Sequence, residues 1–318
     1  MTSLTVPVPD SKPTFAGIDR CDDLHALDAE IAIIGVPYGV VYPSYTDRPP
    51  FSEGASAIRE HSGKFGKFRD HYDADLGGTI LNDRPIRMVD CGDVDGSADD
   101  GPGNHARIEE AVRLIRSRGA VAITIGGNDS NSTPVMRGLD ASSDVSLVHF
   151  DAHLDFRDEV EGLRNGWSSS IRRASEMDHM GHAIQMGLRG LGSARPDDYR
   201  DALANGNTLI KAREIYDRGS REIGETLPAM KDIYVAFDAD VMDLGIAPGA
   251  GAPSFGGLTY WQATDLLQAT AQRGNIIAAN FSSFVPGLDP RGLTPMLMAQ
   301  LMINMIAAMA RSAQFAHI

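Results

Sequence analysis

Two short runs place acid and imidazole side chains at a spacing that suits chemistry. In "HFDAHLDF", Asp151, His153 and Asp155 recur at every second position, and in "AFDADVMD" Asp238 and Asp240 do the same. In an extended strand end, residues two apart project to one side. Five ionisable groups pointing one way repel: at about 4 Å, two like charges cost roughly 4 kcal/mol in a partly screened site. Divalent cations are the usual remedy, with carboxylates bridging two ions and imidazole completing a shell. A third run, "TIGGNDSNS" at residues 124–132, reads as a strand entering a glycine turn and then a helix start. Asn128, Asp129 and Ser130 then sit at a strand's carboxyl end, where open α/β sheets keep their chemistry, although such a triplet also caps helices. Asp129 is a cap, a metal ligand or the remnant of one.

The elements that must hold these groups are legible as short apolar runs. Eight of them read as strands: "EIAIIGVPYG", "IRMVDCGDV", "AVAITIGG", "VSLVHFD", "AIQMGLRG", "NTLIKA", "DIYVAFDAD" and "NIIAANFSSF". Their length and Ile/Val content favour strands buried on both faces. Helical patterns such as "NHARIEEAVRLIRSRG" and "TYWQATDLLQATAQRG" lie between them. Alternation of this kind predicts an α/β fold, a mostly parallel sheet covered by helices. With no composition break and no repeat, residues 1–318 read as a single domain, of which 1–29 form an N-terminal extension. Three long loops, "VVYPSYTDRPPFSEGAS", "RDEVEGLRNGWSSS" and "DLGIAPGAGAPSFGG", each follow a strand. On a parallel sheet they gather at one edge, and loops of that length tend to be functional.

Composition excludes several classes. Hydrophobic residues make up 42% and charged residues 23%, and the formal charge of −14 with no basic run argues against a nucleic-acid partner. Cys21 and Cys91 occur in unrelated contexts, so neither a disulfide framework nor a cysteine zinc site is expected. The start, "MTSLTVPVPDSKPTF", lacks the basic start and apolar run of a signal peptide, so a cytoplasmic location is expected. The most apolar segment, "PMLMAQLMINMIAAMA", is shorter than a bilayer span and reads as a buried helix, so no membrane is expected. His149 reads as core, or as a layer behind the ligands.

Ordered motifs carry a family likeness. "DAHLD", "FDADVMD" and "APGAGAPSFGGLT" closely resemble the ureohydrolases, the arginase and agmatinase group. The likeness extends to "GASAIREHS", "MVDCGDV" and "VPGLDPRGLT", covering about residues 30 to 300. It implies a three-layer α/β/α fold, up to two divalent ions (manganese or nickel), and a bridging hydroxide that attacks a guanidinium carbon to give urea and an amine. A metal lowers the pKa of bound water toward neutrality, so that scheme is chemically coherent. By the same likeness, Asp151 and Asp238 are bridging carboxylates, and His153 and Asp240 complete one metal site. Asp155 and Asp129 belong to the other.

Three positions depart from the family pattern. The family usually reads GGDHS where this chain reads GGNDS, so Asp129 replaces a ligating histidine and makes that site all-oxygen. Aligned on Arg172 and Arg173, Trp167 stands where a loop histidine shuttles protons, and an indole cannot do so. Ser283 stands where a glutamate grips the substrate's guanidinium. The resemblance therefore implies a small guanidine-type substrate and two readings of activity. In one, the chain is a catalytically weak subunit supporting an active homologue in a trimer or hexamer, as in the similar biguanide (metformin) hydrolases. In the other, it is an active enzyme with specificity altered toward an alkylated guanidine or biguanide. A metal-dependent deacetylase, which uses one metal held by residues like Asp151, His153 and Asp238, is the reading from another class.

Overall fold

Strand runs buried on both faces must be covered by helices twice over, and the chain meets that demand around one sheet. The computed structural model of the protein describes residues 13–45 and 50–317. The opening stretch used for the signal-peptide reading therefore lies mostly outside the described residues, as does part of the first long loop.

All eight expected strands form, together with one that the sequence pattern did not reveal. They are β1 (Asp19–Arg20), β2 (Ile31–Gly35), β3 (Met88–Asp93), β4 (Val121–Ile125), β5 (Val145–Phe150), β6 (Met180–Leu188), β7 (Thr208–Lys211), β8 (Asp232–Asp238) and β9 (Asn275–Ser282). They pair in the order β1-β3-β2-β4-β9-β8-β5-β6-β7, every pair parallel. The new strand, β1, is two residues long, too short for periodicity to reveal. It pairs with β3 beside Phe15, whose backbone N–H donates to the Asp90 carboxylate at 2.7 Å. Part of the stretch read as an extension thus joins the sheet.

Alternate residues feed two separate cores. On β2, Ile31 and Ile33 enter one cluster while Ala32 and Ile34 enter the other. The first cluster packs against α1 (Gly54–Lys67) and the second against α2 (Gly101–Ser117), α3 (Ser132–Arg137), α4 (Ser170–Ala174) and α5 (Pro196–Ala204). Returning to the first face are α6 (Ala212–Arg218), α7 (Ser220–Thr226), α8 (Tyr260–Arg273) and α9 (Leu293–Arg311). The result is helix, sheet, helix. Thr259 and Gln262 start α8 with a reciprocal capping box, which satisfies amides left free at a helix start.

Helix α9 contains the apolar run and is longer than that run, at 19 residues. By length and composition it is able to cross a membrane, but 78% of its most apolar window is buried inside the protein. Four of its methionines, Met298, Met302, Met305 and Met309, are fully enclosed. They fill core.

Two motifs of the family likeness turn out to be fastenings rather than chemistry. Arg59 of "GASAIREHS" donates to Asp90 of "MVDCGDV" through Nε at 2.9 Å and Nη2 at 3.0 Å, and to the Gly92 carbonyl at 2.7 Å. Arg59 also pairs with Asp93. Removing Arg59 would leave the buried Asp90 carboxylate without its cation, a loss of roughly 3–5 kcal/mol. The cysteines also need correction. The β1–β3 register aligns Arg20 with Asp90, and the Cys21 N–H donates to the Asp90 carbonyl at 3.0 Å, so the next residues, Cys21 and Cys91, become neighbours. Both remain free thiols. Their closeness comes from strand pairing across about 70 positions and has no local signal.

Candidate metal centre

Four adjacent strands, β4, β9, β8 and β5, end at one place, and the candidate residues leave from those ends. Asp129 follows β4, Ser283 follows β9, Asp238 ends β8 with Asp240 just beyond it, and Asp151, His153 and Asp155 follow β5. Together with Trp167 they line one cavity of about 350 Å³. Residues from all three long loops, Tyr45, Trp167 and Gly251 among them, border it.

The convergence comes from tight turns, not from the extended alternation expected. Asp151 accepts the His153 N–H at 2.5 Å, Asp238 accepts the Asp240 N–H at 2.9 Å, and Asp240 accepts the Ala152 N–H at 3.0 Å. Asp155 takes a left-handed backbone (φ 50°), as does Ser283 (φ 65°). The chain bends as soon as each strand stops, because aspartate carboxylates capture nearby amides. Gly127 has φ 67°, and a Cβ there would lie 2.4 Å from the Val36 carbonyl oxygen. Only glycine fits that approach.

The opening ambiguity over Asp129 resolves in geometry. Asn128 is the helix cap, accepting from the Ser130 N–H at 3.1 Å. Asp129 caps nothing. Its carboxylate accepts from the Ser132 hydroxyl at 2.8 Å and from the Ser170 hydroxyl, and it faces inward.

Among the described residues, two groups of donor atoms suit a cation, and Asp151 belongs to both. One comprises Asp151, His153 and Asp240; the other comprises Asp129, His149, Asp151 and Asp155. His153 Nδ1 lies 3.0 Å from Asp240 and 3.3 Å from Asp151. Asp238 falls in neither group as the side chains stand, although it lines the same cavity. His149, assigned by sequence to the core or a layer behind the ligands, is fully buried with Nε2 3.0 Å from Asp151. That contact is close without hydrogen-bond alignment, so Nε2 is left unsatisfied. On its other side, the Gln185 amide donates to the Leu154 carbonyl at 2.8 Å and stands 3.2 Å from His149 Nδ1. The Gln185 amide thus stands against Nδ1, and Nε2 faces the carboxylates.

Charge balance supports a cation. Burial pushes Asp129 and Asp240 up to about 6 and raises Asp155 and Asp238 well above the carboxylate range, with neighbouring carboxylates adding to the rise in each. Asp151 alone goes the other way: burial opposes its ionisation, but the imidazoles of His149 and His153 outweigh it. Burial likewise disfavours the His153 cation, yet Asp151 and Asp240 push its pKa up to about 12. Buried carboxylates outnumber the imidazoles, and a divalent ion relieves the difference. The donor set of aspartate oxygens and imidazole fits such an ion.

A pH test follows for the metal-free protein. An aspartate whose pKa is raised by folding binds its proton more tightly folded than unfolded, so stability falls as pH rises through that interval. His153, raised from about 6.5 to about 12, adds stability in full below 6.5 and loses it as pH climbs toward 12. Asp151 contributes no slope above about 4, since its folded pKa lies below the unfolded one. Asp155→Asn is therefore expected to raise the metal-free melting temperature more at pH 8 than at pH 5. An equal gain at both would show that Asp155 carries no such strain.

Sequence reasoning missed other residues here. Tyr42, Tyr45 and Phe51 surround Trp167, and their signal was present as the aromatic content of the first long loop. Arg189 donates to the carbonyls of Asp240, Met242 and Ser254, pinning the third loop to the site. No motif marked it.

Carboxylates and imidazoles gathered at the carboxyl edge of a parallel sheet define an α/β protein suited to holding divalent ions. Comparison supplies the lineage. The Arginase family model matches residues 29–307, and the chain belongs to that family. It is 29% identical over 313 residues to the guanidinopropionase of Pseudomonas aeruginosa, covering 95% of this chain and 92% of that one. Among solved structures it shares the fold of proclavaminate amidino hydrolase from Streptomyces clavuligerus (TM-score 0.81, 24% identity, 98% and 99% covered). It also shares the fold of Trypanosoma cruzi formiminoglutamase with Mn2+ (TM-score 0.81, 20% identity, 95% and 100% covered).

Proposed function

We propose that the chain is a component of a metal-dependent, urea-releasing hydrolase acting on a guanidine-type C–N bond. Within it, this is the member of low intrinsic turnover, supporting an active homologous chain in a trimer or hexamer. The observation that carries the reading is that Trp167 and Ser283 both line the cavity of the aspartates. The family likeness aligns them with a proton-shuttling histidine and a guanidinium-gripping glutamate, and neither ionises usefully.

The chain's own residues still do part of the work. Asp151, His153 and Asp240 would hold one manganese or nickel ion; Asp129 and Asp155, sharing Asp151, would hold a second, with Asp238 close by. The chemistry supplied by such ions is Lewis-acid polarisation and activation of water near neutral pH. Asp151 and Asp240 keep the His153 ring oriented. The Ser283 hydroxyl can donate one hydrogen bond but cannot neutralise a guanidinium. Trp167 lines the cavity with an indole that supplies no proton.

The second reading, an active enzyme of altered specificity, is favoured by the grouping of Asp151, His153 and Asp240, whose residue types are those the family pattern needs. Co-expression separates the two. If the first holds, the chain co-purifies with a homologous chain as a mixed oligomer and urea release depends on the partner's carboxylates. A stable monomer at micromolar concentration in light scattering would sink it.

A further inference from the structure

Tyr45, Phe51 and Trp167 border the same cavity as the aspartates. The Trp167 ring lies 5.4 Å from Tyr45 at 74° and 6.3 Å from Phe51 at 53°, while Tyr45 and Phe51 stack at 5.5 Å and 25°. Behind them, Tyr42 packs 4.2 Å from Trp167 and its hydroxyl accepts the Ser168 N–H at 3.0 Å. Gly166 makes room for this brace, since a Cβ there would lie 2.2 Å from the Tyr42 ring. The wall is held by its own packing and by backbone. One cavity thus joins an acidic floor to an aromatic side.

We propose that this cavity selects a guanidinium whose nitrogen carries an apolar alkyl or aryl substituent. The cationic head lies at the aspartates and the substituent packs among Trp167, Tyr45 and Phe51. The proposal rests on the guanidine-site reading above and adds the substituent class and the residues that choose it. Each methyl group removed from water against the rings is worth roughly four-fold in affinity. A polar tail loses its water against the same rings. Two other lining residues, Arg157 and Asp198, carry opposite charge and could meet a carboxylate or an ammonium tail respectively.

The chain has two tryptophans, and Trp261 is exposed on α8. Trp261→Phe leaves Trp167 as the sole indole, so its fluorescence reports cavity occupancy without any need for turnover. Titrations would use guanidinium, methylguanidinium, N,N-dimethylguanidinium, N-benzylguanidinium, agmatine and 3-guanidinopropionate, with manganese present and absent. Affinity is expected to climb about four-fold per methyl group, with the benzyl compound tightest and both polar-tailed compounds no better than methylguanidinium. Calorimetry on Phe51→Ala and Trp167→Leu, each checked for an unchanged melting curve, should show guanidinium binding kept and the apolar preference lost. If either variant misfolds, Gly166→Ala, which displaces Tyr42, should reduce the same preference. Guanidinium bound with no gain from apolar groups would overturn the proposal while leaving the guanidine reading intact. Tightest binding by 3-guanidinopropionate or agmatine would overturn it in favour of Arg157 or Asp198. Silence from every guanidine compound, by fluorescence and calorimetry alike, would overturn both readings.

Discussion

The purified chain alone, supplied with manganese or nickel, is expected to release urea from arginine, agmatine or free guanidine several orders of magnitude more slowly than a competent relative. The reason is cumulative. With serine at 283 the cationic substrate lacks a charge-assisted contact, and one such hydrogen bond is worth roughly 1.5–3 kcal/mol. With tryptophan at 167 the leaving amine lacks a proton donor, a factor of about 10²–10⁴ in rate. The structure adds that the Trp167 ring packs against Tyr42, Tyr45 and Phe51, which hold it in the cavity wall. Asn128→Asp, Asp129→His, Trp167→His and Ser283→Glu combined should raise activity or metal uptake. Replacing Asn128 also disturbs the cap it provides to Ser130, so the combination needs a melting curve beside the assay. Robust turnover of any guanidine compound by the unaltered chain, abolished by Asp238→Ala, would replace the weak-subunit reading with an active enzyme of altered specificity.

Asp151→Ala is expected to abolish metal uptake at both donor groups, because its carboxylate is the one they share. His153→Ala should weaken only the group with Asp240, and Asp129→Ala only the group with Asp155 and His149. Even outer partners of a metal ligand change affinity by about 10–100-fold, so loss of a direct ligand should reach at least that range. In the unaltered chain, the group containing His153 should fill first, since Asp129 there replaces the imidazole that the family pattern needs at the other. Elemental analysis after stepwise manganese addition, with each variant in parallel, gives both the count and the order. Equal, full occupancy of both groups from the first step would reject the ranking. Uptake by Asp151→Ala at the unaltered level would reject the shared-ligand arrangement.

His149 refines the expectation for these titrations. Its Nε2 stands 3.0 Å from Asp151 without hydrogen-bond alignment, at the back of the shared carboxylate. His149→Asn should weaken metal uptake less than His153→Ala does.

Much of this protein was present in one dimension. Apolar runs such as "IAIIG" and "YVAFD" reveal strands because a doubly buried strand needs apolar residues on both sides, a local requirement. Alternation with helices then determined a parallel sheet, since parallel neighbours need long crossovers. Asp151, His153 and Asp155 announced themselves by spacing, and Trp167 and Ser283 by departure from a pattern. Tertiary structure alone decided which groups meet. Strand order brings β4, β9, β8 and β5 side by side although more than a hundred residues separate β4 from β8. That order makes Asp151 common to two donor groups and turns His149 inward. Tertiary packing likewise seats Tyr45 and Phe51 against Trp167, and the β1–β3 pairing makes neighbours of Cys21 and Cys91. Periodicity reports which side of an element is buried. It is silent about what lies across the gap, because that depends on pairings whose energy is gathered over the whole sheet.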